Sequence, residues 1–251
     1  MPILDDVVTT ADGSHTLFSK KYNQHFHNTD EGSLNEALYK HVIPAFTFHK
    51  DKKELNILDI CFGLGFNTFA TIYYCLTNNL NIKLNIYSVE LDFDLIKSLK
   101  NFSYPKEFKK IKEFQNILND LVNLQKYEDD NIKIEIKIED ARTYISNLPK
   151  NLFDIVYQDA FSSDVNFELW TKEYFTDIYS ICKSNSILTT YAISTNIRLS
   201  MYEAMFFIYE LVPIKRKITL AFKTNQNIIG NYIDMELKKS RNKNARALYD
   251  N

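Results

Sequence analysis

The chain has little of what ends, bends or crosslinks a polypeptide: five glycines, five prolines, three cysteines and one tryptophan in 251 residues. With no Pro-, Gly- or Ser-rich stretch to divide it, one main domain over 51–225 is expected, preceded by an N-terminal extension over 1–50 and followed by a basic tail over 226–251. Cys61, Cys75 and Cys182 show no C-x-x-C spacing and lie in apolar segments, which points to reduced, buried thiols in a cytoplasmic protein and to no metal site. The formal charge of -2 excludes a generally basic nucleic-acid binder but leaves room for local basic faces. Lys215-Arg216-Lys217 and Lys238, Lys239, Arg241, Lys243 and Arg246 are the candidates for tracking phosphates, although such runs are as a rule solvated surface. Asp5 and Asp6 stand where a signal peptide needs a basic start. The long apolar stretch 57–76 is interrupted by Asn67, Thr68, Thr71 and two glycines, so no membrane span is expected.

What is present is an alternation. After extended pieces over 17–27, Ser33-Leu34-Asn35-Glu36 reads as a capping box opening a helix that ends near Pro44. Strand patterns then alternate with helical ones: LNILDI, a helix over 66–75, KLNIYSVE, helices from 91 and over 106–127, IKIEIKI, a helix over 142–148, FDIVYQD, a helix over 168–182, SILTTYAI, a helix over 196–209, and two extended runs meeting near Lys215. This order predicts an α/β fold, a mainly parallel seven-stranded sheet with helices on both faces. Ligands of such sheets sit beyond the carboxyl ends of the strands.

Four acids stand at those ends: Asp59, Glu90, Asp140 and Asp159. Between the first strand and its helix, Gly63 and Gly65 place two of the five glycines at one bend, which brings backbone N–H groups toward a polar or anionic ligand end. Glu90 is placed to accept from both hydroxyls of a ribose, and Asp140 from the exocyclic amine of a purine; each alternatively caps the following helix. A nicotinamide-type G-x-G-x-x-G is not met, because Thr68 holds the third position.

Asp59-x-Cys61-x-Gly63-x-Gly65 resembles motif I of the class I S-adenosylmethionine (SAM) methyltransferases, with cysteine replacing the first glycine. That replacement is costless where φ is negative and strained where it is positive. Residues 154–170, DIVYQDAFSSDVNFELW, are similar to the methyltransferase domain of the MnmC family, bacterial enzymes that methylate the 5-aminomethyl group of wobble uridine in tRNA. Asp159, Phe161, Asn166, Glu168 and Trp170 match the family's spacing, while Ala160 replaces its glycine and Ser163 and Phe167 its two prolines. Phe62-Gly63-Leu64-Gly65-Phe66-Asn67 and the stretch DGSHTLFSKKYNQHFHNTDEGSLNEALY add to the resemblance, which spans residues 12 to about 223.

The resemblance implies a stand-alone Rossmann-like methyltransferase using SAM. Its cofactor site would comprise Asp59, Cys61, Phe62, Gly63, Gly65 and Asn67, then Glu90, Asp140 and Ala141. Asp159 would be both cofactor contact and catalytic residue, and Phe161, Asn166, Glu168 and Trp170 would hold a tRNA uridine. A separate flavin-dependent oxidase or upstream tRNA-modifying enzyme would supply the amine. His25 and His27, two apart, would share a strand face. Two alternatives stay open: an aminopropyltransferase of the spermidine synthase type, whose Gly-Gly-Gly-Asp-Gly turn CFGLG lacks, and a non-catalytic RNA- or partner-binding module, which SAM binding would separate from an enzyme.

Overall fold

The computed structural model describes residues 6–242 and 244–250; Asp5 and Lys243 lie outside them. Near the N-terminus, β1 (Val7–Thr9), β2 (His15–Ser19) and β3 (Gln24–His25) form a small antiparallel sheet. The main sheet is built from β4 (Glu54–Ile60), β5 (Lys83–Glu90), β6 (Lys126–Glu128), β7 (Ile132–Ile138), β8 (Phe153–Gln158), β9 (Cys182–Thr190), β10 (Phe207–Leu211), β11 (Ile218–Phe222) and β12 (Asn231–Tyr232). Its order is β12-β10-β11-β9-β8-β4-β5-β7-β6. The five central strands β7, β5, β4, β8 and β9 pair in parallel, and β11 enters antiparallel between β9 and β10. The seven expected strands are thus present, and the two short pieces β6 and β12 extend the edges.

Strands covered on both faces need apolar residues on both faces, which is why β4 and β8 read as near-continuous apolar runs. Ile57 and Ile155 belong to one core layer, with α1 (Ser33–Glu36), α2 (Ile43–Phe48), α3 (Phe66–Thr77), α4 (Phe93–Ser98) and α5 (Phe114–Leu124). Leu58 and Val156 belong to the opposite layer, with α6 (Ala141–Ser146), α7 (Lys172–Ile181), α8 (Thr195–Glu203) and α9 (Met235–Arg241). The sheet reverses its winding at β4, with β5 and β7 to one side and β8 and β9 to the other, so the switch-point crevice opens where β4 and β8 end. No helix among the described residues is long and apolar enough to cross a membrane.

Several boundaries differ from the sequence expectation. The helix entered at Ser33 is not opened by a capping box: its N-cap is Gly32, the Ser33 and Asn35 N–H groups donate to Ser14 Oγ and Asp12 Oδ2, and Glu36 accepts from the Asn28 N–H instead. Nor does it stop at Pro44, because a π-helical turn over Ala37–Val42 widens the coil and sets the proline in the first turn of α2, where its missing N–H costs nothing. The helix expected over 106–127 is a 3₁₀ turn (Phe108–Lys110) followed by α5, bounded by left-handed Glu113 and Gln125. The one expected to reach 209 ends at Glu203, with left-handed Met205 leading into β10. The basic tail docks on the second layer through buried Met235, Ala245 and Ala247 and the Arg142–Asp250 ion pair (2.6 Å).

Candidate active site

Beyond the carboxyl ends of β4, β5, β7 and β8 lies a cavity of about 1030 Å³. One half is walled by Cys61, Phe62, Gly63, Glu90, Asp140 and Ala141; the other by Phe161, Asn166, Glu168, Tyr191 and Arg216, under a roof from β2–β3 that contributes Tyr22 and Phe26. Asp159 and Asn67 sit on the lining of the same cavity.

The glycine turn is held by the strand beside it. The Gly63 N–H donates to Glu90 Oε2 (3.0 Å), while Glu90 Oε1 accepts from the Asp92 N–H (2.9 Å). Burial pushes the Glu90 carboxyl above its ordinary range, against the lowering effect of these two donors. Gly65 (φ 75°) caps α3, and a Cβ there would stand 2.8 Å from the rings of Phe62 and Phe69, so glycine is required by packing. Cys61 takes φ 62°, the strained case for a cysteine in the position of a glycine, at a cost of about 1–2 kcal/mol.

The structure does not bring Asp59, Gly65 or Trp170 to the cavity wall. Asp59 is fully buried behind it, accepting from Thr68 Oγ1 (2.8 Å) and Asn67 Nδ2 (3.3 Å), and burial drives its pKa up to about 7. Trp170, with no exposed surface, donates from Nε1 to the Phe161 carbonyl (2.8 Å) and braces the loop rather than offering a stacking face. Two further bonds fix that loop, from Tyr191 Oη to the Ala160 carbonyl (2.8 Å) and from Gln24 Nε2 to Ser162 Oγ (2.7 Å). Phe161 itself faces the cavity, packed against Phe26 and Tyr22 at 5.1 and 5.0 Å between ring centres.

Asp159 is hydrogen-bonded on one oxygen and faces a histidine with the other. Asn67 Nδ2 donates to Oδ2 (2.9 Å), and His41 Nε2 lies 3.4 Å from Oδ1. Burial alone would raise this carboxyl, but the electrostatic influence of His41, then that of His27 and the hydrogen bond from Asn67, hold it below its ordinary range. Asn67 Oδ1 is buried with no hydrogen-bond partner. An orphan acceptor beside a carboxylate, at the helix end of a glycine turn, suits the ammonium of an amino-acid group, so these residues fit the amino-acid end of SAM. Asp140 caps α6 through Oδ1, which accepts from the Thr143 N–H (2.9 Å) and hydroxyl (3.0 Å).

Sequence reasoning missed His41, Tyr191 and the roof aromatics, none of which carries a spacing signal. It also paired His25 with His27, but His25 is exposed whereas His27 is buried on Thr16 and Phe66, with burial pulling its pKa down. Of the basic runs singled out from the sequence, Arg216 and Lys217 reach the cavity rim, where Arg216 pairs with Glu31 (3.1 Å) and Lys217 with Glu210 (2.8 Å).

Residues 106–224 match the S-adenosyl-L-methionine-dependent methyltransferase family. The uncharacterised protein MJ0670 of Methanocaldococcus jannaschii is 29% identical over 231 residues, which are 91% of this chain and 62% of that protein, so the chain spans less than two thirds of the relative's length. The crystal structure of MnmC2 from Aquifex aeolicus superposes with a TM-score of 0.79 at 28% identity, covering 93% of this chain and 74% of that one. Sheet order, glycine turn, family match and superposition agree on a SAM-dependent methyltransferase fold that is MnmC-like.

Proposed function

We propose that the domain transfers the methyl group of SAM to the exocyclic amine of 5-aminomethyl-(2-thio)uridine at the wobble position of tRNA. The observation that carries this reading is Asp159, a carboxylate at the end of β8 held by Asn67 and His41 and facing a cavity with an aromatic wall. SAM supplies an electrophilic methyl group on a sulfonium, so the domain has to align an uncharged amine behind that methyl and exclude water. Asp159, held below the ordinary carboxylate range, is too weak a base to deprotonate an ammonium; it orients the amine and favours the positive charge that develops on nitrogen. Phe161, Phe26 and Tyr22 suit an extruded base, which RNA enzymes hold by aromatic contact. The volume of about 1030 Å³ lies at the upper limit of roughly 300–1,000 Å³ for one-ligand pockets, consistent with room for a cofactor and an acceptor together.

The test is mass spectrometry of nucleosides from tRNA incubated with the domain and SAM, using tRNA from cells that lack the gene. Conversion of 5-aminomethyl to 5-methylaminomethyl uridines is expected. A domain that binds SAM and leaves these nucleosides unchanged refutes the reading.

A further inference from the structure

His41 is fully buried, on the π-helical turn over Ala37–Val42. An α-helix turns consecutive residues to different sides, but here Lys40, His41 and Val42 are all buried; the wider π turn accommodates this, and such turns recur at functional sites. The ring stands edge to face with Tyr157 at 5.7 Å between centres. Its Nδ1 meets the hydroxyl of Thr189, at the end of β9, at 2.9 Å, and its Nε2, buried and without a hydrogen-bond partner, faces Asp159 Oδ1 at 3.4 Å.

These contacts restrict where the ring proton sits. If Nδ1 alone carried it, an Nε2 lone pair would face a carboxylate in a buried site, acceptor against acceptor, which is costly. If the Thr189 hydroxyl donates to Nδ1, or if both ring nitrogens are protonated and Nδ1 donates to Thr189, Nε2 carries a proton and points it at Asp159. A separation of 3.4 Å is long for a hydrogen bond, as contacts of reacting groups often are before substrate binds. The Asn67 bond to Oδ2 and the His41 ring beside Oδ1 restrict rotation of the carboxylate, which belongs to the cavity lining.

Resting on the function proposed above, we infer that His41 is a positioning residue for methyl transfer: through its Nε2–H it fixes the orientation of Asp159 toward the acceptor amine. Two variants discriminate this from a packing role. His41→Gln places an amide N–H near the Nε2 position, and His41→Asn places one near Nδ1 only. Single-turnover methylation is expected to stay within a few-fold of wild type for Gln and to fall by about 10- to 100-fold for Asn, as for a misplaced reacting group. SAM affinity and melting temperature should be similar in the two. Equal turnover in both variants, or losses that follow stability alone, overturns the inference.

A measurement on the wild-type protein decides even where a variant fails to fold. In ¹⁵N-histidine NMR, the ring identified by its through-space contact with Tyr157 is expected to carry a proton on Nε2. A ring protonated on Nδ1 alone overturns the inference whether or not the domain methylates tRNA. Failure of the wild-type nucleoside assay with an Nε2–H ring instead removes the proposed substrate, and with it the positioning role in that reaction.

Discussion

Asp59→Asn should flatten the pH dependence of stability. Asp59 is fully buried, and burial moves its pKa from the ordinary 3.8 to about 7. The raised value means that the folded state disfavours the ionised form. The penalty is absent below about pH 3.8, grows through the window, and is complete above about pH 7. At about 1.4 kcal/mol per unit, the three-unit difference sets a ceiling of about 4 kcal/mol at pH 8, of which about 2–3 kcal/mol develops between pH 5 and pH 8. Asparagine keeps an acceptor for the Asn67 amide and can donate to the Thr68 hydroxyl oxygen, so the shape is preserved; its second N–H offsets part of the gain by about 1 kcal/mol or more. Asp159, held below its ordinary range, contributes stability that is present above pH 3.8 and lost as the pH falls further; it is common to both proteins and largely cancels in their difference. Urea unfolding of variant and wild type at pH 5, 6, 7 and 8 should therefore show the variant gaining about 2 kcal/mol relative to wild type across the series. SAM affinity should be little changed, because Asp59 stands behind the cavity wall. Curves that stay parallel within 0.5 kcal/mol, about the error of such a comparison, would show that Asp59 is not a strained buried acid.

Glu90→Ala removes the acceptor of the Gly63 and Asp92 N–H groups; calorimetry should show SAM binding weakened by on the order of 2–4 kcal/mol, and unchanged affinity in a folded variant would remove Glu90 from the cofactor site. Asp159→Asn keeps shape and removes charge, so single-turnover methylation should fall on the order of a hundredfold with a smaller change in melting temperature; near-normal turnover would leave Asp159 a structural residue. Trp170→Phe breaks the bond to the Phe161 carbonyl; a stability loss of about 1–3 kcal/mol is expected, with turnover reduced and SAM affinity kept, whereas lost SAM affinity would contradict a role confined to the acceptor loop.

The parallel sheet was legible because β4 and β8 are buried on both faces and β4, β5, β7 and β8 each run into an acid, a pattern that local sequence carries by itself. The glycine turn was legible because glycine is scarce. The same scarcity hid other breaks: Glu113, Gln125 and Met205 take left-handed backbone without being residues that announce it, so the helical pattern of the sequence runs on through them. Side-chain direction was less readable than position. Asp59, one residue from the turn, points into the α3 layer, and Asp140 is engaged by its own helix. His41 reaches its partners across 148 residues to Thr189, a pairing that no local spacing encodes.

The roof gives the two halves of the cavity different histories in folding. The bond that ties the glycine turn to Glu90 closes 27 residues of chain, whereas the one that ties Gln24 to Ser162 closes 138. Chain-closure entropy makes the second about 1.4 kcal/mol dearer, and β3, only two residues long, brings few contacts to offset it. The glycine-turn side can therefore assemble while the aromatic side is still open. A fluctuation that lifts the hairpin exposes the aromatic wall and leaves the glycine turn joined to Glu90.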